Sequence, residues 1–282
     1  MKLGLALSGG GIRGAVHIGV LQALEENNIK IDIIGGTSSG SLVAVLYAMG
    51  YSPIHILELF KRYGKNITSM GKASLINGVG NYIVNKKFNI SGINDGKEME
   101  KIYNEFATKK NIHKISDIKM PIVIPTIDLK DAKEYIFTNF IPKEQNKYKY
   151  ITDIPIGSAV RASSSFPAFF CPYEYKDHIF LDGGTIDNIP VNEVKLQGAD
   201  KVITVNFKPI EIESKSNVMD IILRTIDIMG NKIIEDDIKK SDYILTIPTD
   251  DKIGFLDSNE IKKCYEYGYK TTCEKINEIK NM

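Results

Sequence analysis

The sequence predicts a three-layer α/β/α fold around a largely parallel central β-sheet. Two observations carry this. Short apolar runs alternate with helical patterns along the chain, and the first two runs each pass through a glycine turn straight into a helix. A third observation places the business end: ten of the 23 glycines fall within the first 50 residues, so backbone-based chemistry is expected near the N-terminus.

The elements follow in order. Residues 3–8 are the first strand, Gly9-Gly10-Gly11-Ile12-Arg13-Gly14 the first turn, and a helix runs to about residue 26. Residues 31–35 are the second strand, Gly36-Thr37-Ser38-Ser39-Gly40 the second turn, and a helix over 41–49 stops at Gly50. Ser52-Pro53 opens another helix through about residue 63. Residues 64–93, rich in Gly and Asn, read as irregular connecting structure. A helix over 95–109 precedes two strands, 121–129 and 134–138, joined by a polar turn. The apolar run 179–181 ends at Asp182; a helix over 191–197 and a buried-type strand over 201–207 follow. A helix over 217–240, broken near Gly230, a strand over 243–247 and a final helix capped by Ser258 complete the chain. No repeat, low-complexity tract or linker divides it, so residues 1–282 are expected to form one domain. The motifs lie within 3–207, and 208–282 pack onto the same unit.

Composition sets the bounds. A chain of 282 residues, 43% hydrophobic and 25% charged, reads as soluble and globular with a sizeable core. A formal charge of +1 gives no bias toward nucleic acid. No run reaches the ~18 apolar residues that span a bilayer. The opening residues lack the h-region length and cleavage site of a signal peptide. Cys264 and Cys273 share a predicted helix nine residues apart, too far for a disulfide, and Cys171 is left over. A cytoplasmic location is expected.

Three motifs carry chemistry. Gly36-Thr37-Ser38-Ser39-Gly40 is G-x-S-x-G between strand and helix, the setting of a nucleophile elbow, where a tight turn forces Ser38 into a strained conformation. The plainer reading makes Ser38 a helix cap. The turn Gly9–Gly14 opens a helix and so presents unpaired N–H groups to an anion. If the two strands are parallel neighbours, about 4.8 Å apart, those N–H groups face the hydroxyl. Asp182-Gly183-Gly184 ends a strand, which projects Asp182 into the same edge as a candidate base.

With these residues in order, the chain resembles the patatin-like phospholipase family of lipid acyl hydrolases. The matching residues are the Gly9–Gly14 turn, Gly36 to Gly40, the stretch Arg161-Ala162-Ser163-Ser164-Ser165-Phe166-Pro167, and Asp182-Gly183-Gly184 with Asn188 and Pro190. The resemblance implies a Ser–Asp dyad, with Ser38 as nucleophile and Asp182 as base, and an oxyanion hole from the Gly9, Gly10 and Gly11 backbone. Arg13, Gly14, Gly36, Gly40, Gly183 and Gly184 support the motifs. It implies a lipid ester substrate and leaves transient membrane-surface contact open. Phe166, Phe169 and Phe170 are candidates for an acyl pocket, and 64–93 for its cover.

The alternatives are specific. Gly9 to Gly14 also matches G-x-G-x-x-G, but a dinucleotide site wants an acid at the end of the second strand, where this chain has Gly35-Gly36. No Gly-Lys-Ser/Thr completes a Walker A loop. A Ser–acid–His order fails because no histidine follows Asp182; His17 and His178 are the remaining candidates for a histidine base. A noncatalytic scaffold of the same fold is disfavoured by the intact motifs. No Asp/Asn ladder or His/Cys cluster signals a metal, and no cofactor is expected. Oligomeric state is not set by the sequence.

Overall fold

A computed structural model describes residues 1–69, 94–144, 147–167, 169–208, 238–250 and 257–282, with single positions between 224 and 253. The expected cover over 64–93 and helix over 217–240 therefore lie largely outside the described residues. Nine strands form one sheet: β1 (Leu3–Leu7), β2 (Ile33–Gly36), β3 (Ile122–Asp128), β4 (Lys133–Thr138), β5 (Lys149–Ile151), β6 (Tyr173–Tyr175), β7 (His178–Asp182), β8 (Lys201–Phe207) and β9 (Tyr243–Ile247). Its main order is β5-β4-β3-β2-β1-β8-β9. From β3 to β9 every neighbouring pair on this path is parallel; β4 joins β3 antiparallel.

Both faces are covered, as the side-chain alternation requires. Leu5, Leu7, Ile34, Ile124 and Val205 point into the larger apolar cluster, under α1 (Ala15–Glu26) and α2 (Ser39–Ala48). Ala6, Ile33, Val123 and Val202 point the other way, against Val191 and Val194 of a short helix, Val191–Leu196. Helices α3 (Pro53–Ser69), α4 (Lys97–Lys109) and α5 (Ile156–Ser163) extend the first layer; the short helix is α6, and α7 (Ile261–Lys280) comes last.

The C-terminal residues join this frame directly. Strand β9 adds to β8, and α7 crosses α1 so closely that a side chain on Gly19 or Gly268 would strike the facing backbone. Helix α3 runs past the expected stop near residue 63. It continues through Gly64, which lies where a Cβ would come 2.7 Å from Ile261 Cδ1. Helix α5 was not foreseen: it is eight residues long, begins after Pro155, and packs by Gly157 against the backbone of Glu100 in α4.

One topological detail matters most. Strand β4 occupies one edge of β3 from Val123 to Asp128. The other edge is shared, with β2 pairing at Ile122 and Val123 and β7 pairing antiparallel at Thr126 to Asp128. Strands β2 and β7 therefore approach head-on along the same edge, and their last residues, Gly36 and Asp182, meet at the gap.

Candidate active site

The first two strands are parallel neighbours with Leu7 opposite Gly36, so both glycine turns leave the same edge of the sheet. The elbow after β2 is tight because Gly36 and Gly40 pack backbone to backbone: a Cβ on Gly36 would strike the Gly40 carbonyl, and one on Gly40 the Leu7 carbonyl. Ser38, between them, has φ 51° and ψ −120°. For a residue with a Cβ this is strained backbone, maintained by its surroundings. Ser38 does sit at the N-cap of α2, but its side chain makes no capping hydrogen bond. Its N–H donates to Ser163 Oγ at 3.1 Å, and Ser163 Oγ donates to the Pro125 carbonyl at 2.7 Å.

Asp182 closes the gap from the opposite side. Its N–H donates to the Ser165 carbonyl at 3.2 Å, and its Oδ1 accepts the Gly184 N–H at 2.8 Å. Gly183 packs against the Pro125 carbonyl, which leaves no room there for a Cβ. The carboxyl is only 1% exposed, and Oδ2 makes no hydrogen bond. Burial disfavours the charged form and raises the pKa from 3.8 to about 7; the Ser38 hydroxyl and the Gly184 N–H oppose that rise. Such a carboxyl titrates where a general base is useful.

The third wall is the first glycine turn. Gly9 gives its N–H to Asn188, whose Oδ1 accepts at 3.1 Å and whose carbonyl accepts at 3.2 Å. Of the three expected oxyanion donors, the Gly9 N–H is therefore already engaged. The N–H groups of Gly10 and Gly11, at the start of the 3-10 turn Gly11–Gly14, have no backbone acceptor among the described residues. Gly10 lies under the Phe207 ring, where a Cβ would collide. Arg13 is buried, with its guanidinium 5.1 Å over the same ring and its Nε donating to the Gly10 carbonyl at 3.4 Å. That position makes Arg13 a brace for the turn. Gly14 faces Ser39, whose Cβ would lie 2.6 Å from a Cβ placed there.

The sequence profile of the patatin-like phospholipases matches residues 5–195, from β1 into α6, and so includes Ser38 and Asp182. This chain belongs to that family. Curated relatives are lysophospholipases NTE1 from yeasts: 33% identity over 224 residues for Debaryomyces hansenii and 31% over 205 for Saccharomyces cerevisiae. These alignments cover 78% and 72% of this chain but only 12% and 11% of the relatives, so the chain corresponds to a small part of their length. Among solved structures, the ExoU chain in its complex with SpcU from Pseudomonas aeruginosa superposes with a TM-score of 0.52 at 17% identity. That match covers 99% of this chain and 51% of the other, a likeness of fold.

In this patatin-like chain Ser38 lines an apolar cavity of about 90 Å³. Leu42 and Leu46 of α2, Phe60 of α3 and Phe106 of α4 line it, together with Phe166, Phe169 and Phe170. The three phenylalanines that the sequence offers as acyl-pocket candidates thus line the same cavity as Ser38. Arg161, 1% exposed, fixes their loop: Nη1 donates to Ser165 Oγ and Nη2 to the Cys171 carbonyl, both at 2.6 Å, and Nε donates to the Asp95 carbonyl at 3.0 Å.

The histidines have other partners. His17 Nε2 lies 2.8 Å from the Ser8 carbonyl, and complete burial lowers its pKa to about 4, so it is neutral at physiological pH. His178 Nδ1 contacts Asp128 Oδ2 at 2.6 Å in the β6–β7 hairpin. Sequence reasoning missed two features. Ser163 and Ser165 hold the Ser38 and Asp182 backbones, a role concealed in a run of three serines. Glu134, Asp187 and Glu193 bring buried carboxylate oxygens within 4.8 Å of one another, a grouping that could hold a metal ion and that no local spacing announces.

Proposed function

We propose that this protein is a serine lipid acyl hydrolase working through a Ser38–Asp182 dyad. Ser38 Oγ attacks the ester carbonyl as its proton passes to Asp182, and the alcohol leaves with that proton. The N–H groups of Gly10 and Gly11 hold the developing oxyanion. Water then releases the fatty acid from acyl-Ser38, with Asp182 again as base. The observation that carries this reading is the buried Asp182 carboxyl, poised near neutral pH, at the strand end that meets the strained Ser38 turn. The apolar cavity beside Ser38 suits a fatty-acyl chain.

The named activity of the relatives supports a lysophospholipid substrate, with diacyl phospholipids and acylglycerols as neighbouring classes. Substrates of this kind place the reaction at a lipid surface, which makes transient membrane contact part of the proposal. Among the described residues no helix is long and apolar enough to cross a membrane. A serine-reactive fluorophosphonate tests the reading. The adduct should map to Ser38, and Ser38→Ala should lose both labelling and ester hydrolysis at unchanged melting temperature. Labelling of Ser39, Ser41 or Ser163–Ser165 instead, or hydrolysis retained by Ser38→Ala, would refute it.

A further inference from the structure

The three consecutive serines after α5 differ in what their hydroxyls do. Ser163 Oγ is committed to the Ser38 N–H and the Pro125 carbonyl. Ser165 Oγ is committed to Arg161, accepting from Nη1 at 2.6 Å and donating to its carbonyl at 2.9 Å. Ser164, between them, is 4% exposed, lines the cavity together with Ser38, and its Oγ makes no hydrogen bond. A buried hydroxyl without a partner destabilises a fold unless a ligand or water satisfies it.

Its backbone is fixed in place. The Ser164 N–H donates to the Val160 carbonyl at 3.0 Å, and its carbonyl accepts the Phe166 N–H at 2.8 Å. The residue before it accepts the Ser38 N–H and the residue after it accepts the Asp182 N–H, so the backbone of Ser164 is tied to both strand ends. Ser39 also lines the cavity and its Oγ also lacks a partner, but that oxygen faces Gly14, on the side of the first glycine turn. Asp182 Oδ2 is likewise buried without a hydrogen bond.

We infer that the Ser164 hydroxyl seats the water that deacylates acyl-Ser38, accepting one O–H of that water while Asp182 accepts the other. The inference rests on the dyad reading. A bound water needs two to four polar partners, and the inference assigns it two that the fold leaves without a hydrogen bond, Ser164 Oγ and Asp182 Oδ2. In the step, the water oxygen bonds to the acyl carbon and its first proton goes to Asp182. The bond from that carbon to Ser38 Oγ breaks, Ser38 recovers the proton from Asp182, and the fatty acid leaves. An alcohol acceptor such as methanol has one O–H, which goes to Asp182, and has none left for Ser164. Loss of the Ser164 hydroxyl therefore slows hydrolysis and spares methanolysis.

The test compares the wild-type protein and Ser164→Ala with 4-nitrophenyl butyrate. Nitrophenol release with enzyme in excess gives acylation, and intact mass after quenching gives the decay of butyryl-Ser38. Acylation should stay within about twofold, while decay slows by about three- to tenfold, the size of one hydrogen bond. With added methanol, the ratio of methyl butyrate to butyrate should rise by the same factor. This ratio counts only active molecules, so it survives partial misfolding. The melting temperature should not fall, since no protein hydrogen bond is lost. Equal losses in acylation and decay, or an unchanged decay and methanol ratio, would overturn the water site while leaving the dyad intact. A butyryl adduct on a residue other than Ser38 in the wild-type protein would overturn both.

Discussion

The Ser163 hydroxyl accepts the backbone N–H of Ser38 at 3.1 Å and donates to the Pro125 carbonyl at 2.7 Å, so one side chain ties the strained elbow to β3. Ser163 is fully buried. Ser163→Ala would leave a buried N–H and a buried C=O without partners. Unmet groups of this kind cost about 1–3 kcal/mol each in stability. Urea titration should show the loss, and fluorophosphonate labelling at Ser38 should slow in parallel, because the same bond holds the turn.

The pH dependence of catalysis follows from Asp182. The proposed dyad needs it ionised, and burial places its pKa at about 7. The deacylation rate of a soluble short-chain ester should therefore rise with pH and level off above about 8. A profile already flat from pH 5 upward would show that another group accepts the proton.

The same burial acts on stability with the opposite benefit. Between pH 3.8 and about 7 the folded state holds a proton that the unfolded chain has released, so stability falls as pH rises through this window. Asp182→Asn removes the buried charge and keeps an acceptor for the Gly184 N–H. The variant should gain up to roughly 4 kcal/mol at pH 8 and nothing at pH 4. Its acyl-transfer rate should fall by about 10²–10⁴-fold. Thermal melts at the two pH values and ester kinetics check both halves.

Histidine substitution tests the dyad from outside. His17 is neutral and bonded to Ser8, and His178 is bonded to Asp128. His17→Asn and His178→Asn, normalised to labelled Ser38, should stay within about tenfold of wild type. A loss in either comparable to that in Asp182→Asn would indicate a histidine base.

The elbow glycines give a steric prediction. A methyl group on Gly40 would meet the Leu7 and Ser8 carbonyls, and neither strand backbone can retreat without breaking the β1–β2 ladder. Gly40→Ala should abolish labelling and lower the melting temperature sharply. At Gly64 the obstacle is the tip of Ile261, a side chain that can turn aside, and Gly64→Ala should retain labelling.

What the sequence determined by itself was local. The apolar runs and glycine turns placed β1, β2, α1 and α2, and the spacing of Gly36, Ser38 and Gly40 marked the elbow, because a turn between strand and helix is specified by residues close in the chain. Asp182 was legible as a strand-ending carboxylate for the same reason. Tertiary structure decided which groups meet and which are already engaged. Only the shared edge of β3 brings β7 head-on to β2, across 144 residues from Ser38 to Asp182 by number. Only packing reveals that Asn188 takes the Gly9 N–H, that Arg161 is buried beneath the phenylalanine loop, and that two of three adjacent serine hydroxyls are committed while Ser164 is not. Burial also set the proton affinity of Asp182: the residue type fixes a pKa near 3.8, and removal of its water moves that value to about 7. Strand edges, buried partners and desolvation depend on residues far apart in the chain, and no local pattern encodes them.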